Sequence, residues 1–449
     1  MAMKTIFVTC FHPFIFRNIL CTETFDILRK TPDTKIVLAV QNRKKEYFEG
    51  IFGPRQITVE GFVDPSLYSA VSRAFIWVSR NIHDVGVVRF IHQRKLFRDR
   101  RFLYYYFVLF PMRMIGYSRV LVSLFRFLDA KFTSTGGAPD LFKKHKPDLI
   151  FATDIYNEND VIFLQEARRR AIPSVGMVRS WDKLSWFLLR TVPDRLIVWS
   201  DLRKKEAVKY NYIPEEKVAV TGAPHYSKYL RESRSDRAGF LKSLGLDPKR
   251  KVIFFALTGD QWVERNNSNR YVLEILSGLK DKINVIVRFP VVDQVSFLDD
   301  FFPPAHMFMN RPGLTINNAK LAYTEISEED DKFLSNAIYH SDIVICGPSS
   351  IAIDGAFFNK PVILVNFYPE ARGRWDDNVM YHSVHMAYIL KSGGARMATS
   401  KEMFLEHLGR YLENPRLDGG ERKKMVVEQL GAQDGKAEDR LARAVLDLL

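Results

Sequence analysis

The sequence predicts an α/β protein built from two Rossmann-like domains. Short apolar runs alternate with segments of helical periodicity along both halves of the chain, which is the pattern of parallel sheets covered by helices on both faces. The length of 449 residues exceeds one ordinary core and suits two domains of roughly 200 residues each. We therefore predict an N-terminal domain over residues 1–228 and a C-terminal domain over residues 229–449, facing each other across a cleft.

The first domain is predicted to begin with a strand and to continue as strand–helix repeats. An uninterrupted apolar run such as KTIFVTC is typical of a strand that is buried on both faces. By this criterion the predicted strands are 4–10, 35–40, 148–152, 174–178, 195–200 and 217–222, and the predicted helices are 18–30, 158–171 and 201–211.

The second domain repeats this alternation and ends in a helical tail. The predicted strands are 251–257 and 283–289, the predicted helices are 236–245, 267–280 and 329–340, and residues 341–365 form a strand–loop–helix–strand unit. The prolines at 303, 304 and 312 predict an irregular stretch between 290 and 328, and residues 400–449 are expected to be amphipathic helix with breaks at 414–415 and 419–420.

The positive charge is concentrated in one segment. The chain has a net charge of +14, and residues 73–131 hold twelve Lys or Arg against three Asp, interleaved with aromatic and aliphatic residues. We expect a basic helical insertion in the first domain, which is either a solvated face or a surface that lies on anionic lipid. Nucleic acid is not the expected partner, because the sequence contains no recognised nucleic-acid motif.

Cysteine usage and hydropathy favour a cytoplasmic location. Cys10, Cys21 and Cys346 are too few and too scattered for a disulfide framework, and the first apolar stretch lacks the features of a signal peptide. Residues 102–128 are apolar but contain Pro111, Arg113 and Arg119, which argues against a transmembrane helix. We expect a peripheral protein on the inner face of the cell membrane.

Residues 347–350 are the strongest candidate for a binding site. Gly347 follows an apolar strand and permits close backbone approach, and Ser349 and Ser350 open a helix, where free N–H groups bind anions. Asp354 lies one turn further, on the same helical face as Ser350, and is placed to accept a ribose or sugar hydroxyl. The alternative is that one of the serines is an N-cap.

Two other strand ends in the second domain carry candidate phosphate contacts. Arg288 ends the strand 283–289, where a cation can pair with phosphate, and Thr258-Gly259 forms a glycine turn after the strand 251–257. The alternatives are a surface arginine and a simple turn.

In the first domain, polar residues after two strands are candidates for acid–base chemistry. Asp154 follows the strand 148–152 and is a candidate general base for an acceptor hydroxyl, with Glu158 and Asp160 as competitors. His12 follows the first strand and is a candidate base or substrate contact, although a structural role in the loop is the alternative. The sequence has no Gly-x-Gly-x-x-Gly after its first strand, no Walker loop, and no Asp-x-Asp motif for a divalent metal.

Two segments resemble a known group of proteins. Residues 179–229 contain Ser-Trp-Asp-Lys-Leu ahead of a strand, a helix and a Val-x-Val-Thr-Gly turn. This order resembles bacterial GT-B glycosyltransferases and the related CDP-glycerol glycerophosphotransferases and UDP-N-acetylglucosamine 2-epimerases. Residues 341–365 are similar to their nucleotide-phosphate loop, with the acidic helix residue and the Lys-Pro-Val strand that follow it.

The resemblance implies a donor nucleotide in the C-terminal domain and an acceptor in the N-terminal one. It also implies that Ser180, Trp181 and Asp182 line the cleft, with Asp182 as a second candidate for acceptor contact. One departure concerns the Arg-x-His-Pro of many relatives, where this chain has Arg288-Phe289-Pro290 and lacks the histidine.

The sequence therefore predicts a glycosyltransferase that moves a sugar from a nucleotide-sugar donor to a surface-glycan or glycolipid acceptor, with no metal and no cofactor. The basic segment 73–131 would approach the membrane that carries a lipid-linked acceptor. The alternatives are a sugar-nucleotide 2-epimerase, a CDP-glycerol glycerophosphotransferase, and a non-catalytic scaffold that binds a membrane surface or nucleic acid.

Overall fold

The computed structural model describes residues 3–63, 69–315 and 324–449. The described chain forms two compact units. The first contains the residues up to Arg231 together with Gln429–Leu449, and the second contains the residues between Glu232 and Glu428. Both units are Rossmann-like, so the predicted α/β architecture of two such domains is confirmed.

A seven-stranded sheet forms the centre of the first unit. Its strands are β1 (Lys4–Cys10), β2 (Thr34–Gln41), β3 (Thr58–Phe62), β4 (Leu149–Ala152), β5 (Ser174–Met177), β6 (Arg195–Val198) and β7 (Val218–Val220). They lie in the order β3-β2-β1-β4-β5-β6-β7, and every neighbouring pair is parallel. Ile6 of β1 faces Ile36 on one side and Leu149 on the other, and apolar side chains on both faces of the sheet are buried under helices.

The helices of the first unit follow the strands closely. Up to the third strand they are α1 (Pro13–Ile15), α2 (Glu23–Lys30) and α3 (Lys45–Phe52), and between β3 and β4 they are α4 (Ala70–Asn81), α5 (Gly86–Phe97), α6 (Phe102–Tyr104), α7 (Phe110–Gly116), α8 (Arg119–Phe132) and α9 (Ala138–His145). After β4 come α10 (Glu158–Arg169), α11 (Asp201–Asn211) and α12 (Pro224–Arg231). A π-helical turn at Tyr105–Leu109 joins α6 to α7.

The sequence did not predict strand β3, because its residues form neither a continuous apolar run nor a regular alternation of apolar and polar residues. Glu60 lies in the middle of β3 and is buried. Its carboxylate accepts hydrogen bonds from Lys144 at 2.6 Å and His145 at 2.8 Å, and these charge-assisted bonds lower the pKa of Glu60 despite burial. A buried carboxylate satisfied by partners distant in sequence leaves no local signal.

The second unit has a six-stranded parallel sheet. Its strands are β8 (Lys251–Ala256), β9 (Ile283–Arg288), β10 (Met307–Asn310), β13 (Ile343–Cys346), β14 (Val362–Val365) and β15 (Arg396–Ala398), in the order β10-β9-β8-β13-β14-β15. Between them in the chain, β11 (Leu314–Thr315) and β12 (Thr324–Glu325) form an antiparallel pair. The expectation of an irregular stretch over 290–328 was therefore wrong at β10, which pairs along β9 from Met307 to Asn310.

The helices of the second unit cover this sheet. They are α13 (Arg237–Ser243), α14 (Ser268–Ser277), α15 (Glu328–His340), α16 (Ile351–Phe357), α17 (Val384–Ser392) and α18 (Lys401–Glu413). The chain then continues through α19 (Gly419–Leu430), which crosses the boundary between the units, to α20 (Ala437–Leu446).

The C-terminal helix differs from the expected domain organisation. We expected residues 229–449 to form one domain, whereas α20 belongs to the first unit. Glu438 accepts a hydrogen bond from the Glu23 N–H at 2.8 Å, and Arg195 donates to the Ala444 carbonyl at 2.9 Å. Leu441 is fully buried. These contacts, rather than sequence position, assign the tail to the first unit.

Candidate functional site

The strand order identifies one candidate position in each unit. In open parallel sheets, ligands bind beyond the carboxyl ends of the strands at the point where the strand order reverses. This point lies between β1 and β4 in the first unit and between β8 and β13 in the second. The loops that follow these four strands contain most of the residues singled out in the sequence.

In the second unit, the loops after β8 and β13 touch each other. A Cβ atom built on Gly347 would lie 2.1 Å from the Thr258 Oγ1, well inside van der Waals contact. A side chain at position 347 would therefore require the Thr258 hydroxyl to move. The structure thus brings together Thr258 and Gly347, which are 89 residues apart in the sequence.

The two serines after Gly347 differ in their engagement. The Ser349 Oγ accepts a hydrogen bond from the Ile351 N–H at 3.3 Å and so stabilises the turn into α16, whereas Ser350 is the N-cap residue and makes no side-chain capping hydrogen bond. Ser350 is half-buried, and its hydroxyl makes no hydrogen bond to any residue in the described part of the chain. Asp354 is buried one turn further along, and its charge together with burial raises the pKa of the Cys346 thiol.

The loop after β8 is held by asparagines that sequence reasoning did not single out. Asn269 accepts a hydrogen bond from the Thr258 N–H at 2.9 Å and donates to the Thr258 carbonyl at 2.8 Å. Asn266 donates to the same carbonyl at 2.7 Å and to Asp260 at 3.0 Å. The Thr258 peptide groups are therefore fixed from both sides. The run Asn-Asn-Ser-Asn at 266–269 was the available signal, since asparagine commonly binds backbone groups in loops.

A cavity of about 490 Å³ lies beside this loop, on the side of β9 and β10. Its lining includes Asp260, Phe289, Pro290, Asp293, Arg311 and Thr324. The Arg311 guanidinium stands 3.7 Å above the Phe289 ring. The volume falls within the range of small-molecule pockets, and the lining combines an aromatic ring with both signs of charge.

Arg288 contacts residues of β10 and α15. It is buried and donates hydrogen bonds to the Asn310 side chain and, at 3.5 Å, to the Asp330 carbonyl. Its guanidinium also lies 5.9 Å from the Phe333 ring. These contacts draw Arg288 toward β10 and α15. Its role as a phosphate contact stays a prediction.

In the first unit, a buried network connects the ends of β1 and β4. The Thr153 hydroxyl donates to the Thr9 carbonyl at 2.7 Å, and the Thr9 hydroxyl donates to the Asp160 carboxyl group. The Asp154 N–H donates to the same Asp160 oxygen, Oδ1, at 3.1 Å. Asp160 is fully buried, and its Oδ2 has no hydrogen-bond partner among the described residues. Burial and the charge of Asp154 raise the pKa of Asp160 well above its ordinary value.

Asp154 is paired with a cation that was not predicted. Its carboxylate lies 3.1 Å from the Arg179 guanidinium, and both side chains are buried. Arg179 follows β5, the neighbour of β4, so the parallel sheet places the two strand ends together. Because it is buried and paired, Asp154 is poorly placed to take a proton from a substrate hydroxyl. Its role as a base stays a prediction that this pairing disfavours.

His12 is half-buried and has a defined hydrogen-bonding state. Its Nδ1 accepts a hydrogen bond from the Phe14 N–H at 3.2 Å, capping α1. Burial, followed by the charges of Arg179, Lys183 and Lys44, lowers the pKa of His12 well below its usual range. A neutral imidazole that accepts at Nδ1 carries its proton at Nε2. His12 can therefore donate a hydrogen bond from Nε2, and the base role considered from the sequence is disfavoured.

The charges of Asp182 and Lys183, in and next to the Ser-Trp-Asp segment, shift the pKa of His12. Asp182 is the charge that raises the pKa of His12 against the three cations, and it forms an ion pair with Lys183 at 3.2 Å. Trp181 is buried, and its carbonyl accepts a hydrogen bond from Arg203 at 2.5 Å. The Trp181 side chain thus packs in the interior, whereas Asp182 and Lys183 belong to the charged surroundings of His12.

Comparisons with known proteins identify the fold. No family model matches the sequence, and no curated protein matches it by sequence. Among solved structures, the Staphylococcus aureus MnaA–UDP co-structure has a TM-score of 0.56 at 11% identity, over 100% of this chain and 98% of that one. A Neisseria meningitidis UDP-GlcNAc 2-epimerase bound to UDP-GlcNAc has a TM-score of 0.54 at 11% identity, over 99% and 100%. A glycosyltransferase from Rickettsia africae has a TM-score of 0.51 at 9% identity, over 99% of both chains.

These similarities extend over nearly the full length of each chain, at identities that establish the fold alone. They agree with the resemblance seen in the sequence. The chain thus has the two-domain α/β fold of the UDP-N-acetylglucosamine 2-epimerases and GT-B glycosyltransferases.

Proposed function

We propose that this protein is a glycosyltransferase that uses a nucleotide-sugar donor and a surface-glycan or glycolipid acceptor, without a metal ion. The donor nucleotide binds the second unit at the loops after β8 and β13, and the acceptor binds the first unit beyond β1, β4 and β5. The protein acts at the inner face of the cell membrane.

The observation that carries the proposal is the approach of Thr258 and Gly347 at the strand-order reversal of the second unit. A side chain at 347 would displace the Thr258 hydroxyl, and the Ser350 hydroxyl in the same loop makes no hydrogen bond within the described residues. N–H groups at the start of a helix and a hydroxyl without a protein partner are groups that can receive a diphosphate.

The solved structures of the same fold support a nucleotide-sugar ligand. One is described as a co-structure with UDP and another as bound to UDP-GlcNAc. The cavity of about 490 Å³ next to the Gly259 loop has the size and the aromatic lining that suit a nucleoside. We place the base of the donor in this cavity and its diphosphate at Gly347 and Ser350.

The chemistry requires a base for the acceptor hydroxyl and stabilisation of the departing diphosphate. Hydrogen-bond donors aimed at developing negative charge are usually the largest contribution to such catalysis, and the backbone at Gly347 with the Ser350 hydroxyl supplies them. In the first unit, the candidate bases are Asp154, which is paired with Arg179, and Asp182, which is paired with Lys183. His12 contributes a hydrogen bond from Nε2 and positions the acceptor.

A sugar-nucleotide 2-epimerase is the second candidate. It is favoured by the solved structures with TM-scores of 0.54 to 0.56, two of which are described as UDP-GlcNAc 2-epimerases. An epimerase needs no acceptor. Incubation with UDP-GlcNAc alone, followed by NMR of the sugar, separates the two functions, because only an epimerase changes the configuration at C2 in the absence of an acceptor.

Thermal denaturation with a panel of nucleotides tests the donor site. A ligand that binds the folded state raises the melting temperature in proportion to the logarithm of its concentration over its dissociation constant. We expect one of UDP, GDP, CDP or CMP to raise it, and Ser349→Ala/Ser350→Ala to remove the shift. A matched control is Ser243→Ala/Ser277→Ala in the same unit, because the Ser243 hydroxyl bonds to the Phe240 carbonyl and the Ser277 hydroxyl to the Leu273 carbonyl and the Met307 sulfur, away from the 347–350 loop.

The site assignment fails if the serine variant retains the affinity of the unmodified protein. The broader proposal fails if no nucleotide or nucleotide sugar changes the melting temperature at millimolar concentration. In that case the non-catalytic scaffold remains.

A further inference from the structure

Helix α8 has its polarity reversed relative to a helix of a soluble protein. Its buried face carries two charged residues, Arg126 and Asp129, next to Val122 and Phe125. Arg126 donates to the Leu189 and Asn211 carbonyls at 2.7 and 2.9 Å, and Asp129 binds Arg190 at 2.7 Å. The opposite face is exposed and apolar. It presents Val120, Leu121, Leu124, Phe127 and Phe132.

The preceding helical stretch, Phe102–Gly116, shows the same reversal. Its only charged residue, Arg113, is turned inward and pairs with Asp84 at 2.6 Å. The side chains exposed on its outer face are Phe102, Leu103, Tyr106, Phe107, Phe110 and Met114. Leu103 and Phe107, one turn apart, are each 76% exposed. We call the exposed side chains of these two helices the apolar belt.

The belt is bordered by positive charge. Residues 97–132, all of which the structure describes, contain seven Arg or Lys and two Asp. Asp129 is buried and Asp99 is paired with Arg98 at 3.0 Å. The exposed charges beside the belt are the cations Arg100, Arg101, Arg119 and Lys131 and one anion, Asp99, which is paired with Arg98. Apolar side chains exposed on two successive helices, with cations beside them, complement an anionic bilayer, where apolar side chains enter the acyl region and cations meet the headgroups.

The geometry favours a helix pair that lies in the surface of a membrane. Among the described residues, no helix taken singly has the length and hydropathy to cross a bilayer, whereas Phe102–Gly116 and Arg119–Phe132 satisfy these criteria together with a bend of 104° between them. At about 1.5 Å per residue, each helix extends roughly 21–22 Å, against a hydrocarbon core of about 30 Å.

We propose that the apolar belt inserts into one leaflet of an anionic membrane, with Leu103, Phe107, Val120 and Phe127 as the inserted side chains. The insertion is more specific than the basic surface contact expected from the charge of 73–131. It depends on apolar side chains. It deepens the membrane location given in the proposed function, on which it rests in part, but it is argued from the surface of the first unit and not from the donor site.

Flotation with lipid vesicles tests the proposal on the full chain. Vesicles of phosphatidylcholine with 30% phosphatidylglycerol, at ~100 mM salt, are expected to bind the protein at least tenfold more strongly than vesicles of phosphatidylcholine alone. Leu103→Ser/Phe107→Ser and Val120→Ser/Phe127→Ser are each expected to reduce the partition coefficient at least tenfold, since each removes two side chains from the acyl region. The matched control is Leu230→Ser/Phe302→Ser, which changes one exposed leucine and one exposed phenylalanine outside the belt.

Salt distinguishes insertion from electrostatic adsorption. At 1 M salt the screening length falls to about 3 Å, so a charge-only contact is lost while an inserted belt retains measurable binding. Complete loss at 1 M salt, or equal binding by the belt variants and the unmodified protein, overturns the proposal.

A second copy of the chain is the competing occupant of the belt. Sedimentation velocity without lipid decides between them. A dimer that Leu103→Ser/Phe107→Ser dissociates, with no vesicle binding by the unmodified protein, overturns the membrane assignment. Circular dichroism shows whether the belt variants are folded. Nucleotide-induced stabilisation is measured on the same variants, so that failure of the membrane proposal is distinguished from failure of the proposed donor site.

Discussion

Thr258 and Gly347 are in contact across the strand-order reversal of the second unit, and a Cβ atom at 347 would lie 2.1 Å from the Thr258 hydroxyl oxygen. The two residues follow adjacent parallel strands, β8 and β13. Their contact joins two loops that were each weak signals in the sequence, a lone Thr-Gly and a Gly-Pro-Ser-Ser. Together they define one surface at the edge where Rossmann-like sheets bind phosphates.

Gly347→Ala is expected to destabilise the second unit by about 1–3 kcal/mol, the usual cost of overpacking. The free energy of unfolding in urea measures this. The variant is also expected to lose the nucleotide-induced rise in melting temperature, because either Thr258 or the 347–350 loop has to move.

A double-mutant cycle assigns the cause. Thr258→Ala removes the Oγ1 and Cγ2 atoms that the new methyl group would meet, so Thr258→Ala/Gly347→Ala is expected to be more stable than the sum of the single changes predicts. The control is Gly409→Ala, on helix α18 with open space around it, which is expected to stabilise by about 0.5–1 kcal/mol. Additive effects at 258 and 347 would show that the contact does not determine the cost.

Asp160→Asn is expected to change the pH dependence of stability. The folded protein raises the pKa of Asp160 well above its ordinary value, so it holds this proton at pH values where the unfolded chain has lost it. Stability therefore falls as the pH rises above about 4. Asparagine keeps the Oδ1 that accepts from Thr9 and from the Asp154 N–H but does not titrate.

Urea unfolding between pH 4 and pH 8 measures this difference. The variant is expected to gain stability relative to the unmodified protein as the pH rises, whatever the constant offset between them. Asp160→Ala, which loses both hydrogen bonds, serves as the control and is expected to be less stable than the asparagine variant throughout. Parallel pH profiles for the unmodified protein and Asp160→Asn would contradict a protonated Asp160.

His12 is expected to be neutral with its proton on Nε2. Nitrogen-15 NMR of the imidazole measures this directly and should show Nδ1 as the unprotonated nitrogen at about pH 6.5, where an exposed histidine is half protonated. His12→Asn keeps an acceptor for the Phe14 N–H and is expected to preserve stability. His12→Gln places an amide donor near the position of Nε2 and is expected to retain more of the proposed transferase activity than His12→Ala, which should lose ~10²-fold or more. An activity limb near pH 6.5 that disappears in His12→Gln would indicate a base instead.

The strands of both sheets that carry the site were readable from the sequence because they are buried on both faces. The run 4–10 was predicted as a strand and is β1 with the same bounds, and Asp201–Asn211 is a helix as expected. A strand that is buried on both faces consists of a continuous run of apolar residues, which can be recognised in the sequence. Edge strands such as β3 and β10 lack that signal and were missed.

The partners of the site residues were not readable, because they depend on distant parts of the chain. Asp154 follows β4 and its cation Arg179 follows β5, which the parallel register brings to 3.1 Å. Arg288 ends a strand as expected, but only the missed strand β10 supplies Asn310, which holds its guanidinium. The sequence therefore indicated which residues lie at strand ends, but it did not indicate which groups those residues contact.

The last prediction tests the assignment of the C-terminal helix α20 to the first unit. Leu441 and Val445 of α20 are fully buried against the first unit, so Leu441→Ala is expected to cost about 2–5 kcal/mol. Hydrogen exchange followed by mass spectrometry locates the effect. Protection should fall in Glu23–Lys30, which packs against α20, and stay unchanged in Lys251–Ala256 of the second unit. Val427→Ala is the control, because this side chain is 57% exposed and its loss should be close to neutral. Loss of protection confined to the second unit would instead place the tail with the domain that precedes it in the sequence.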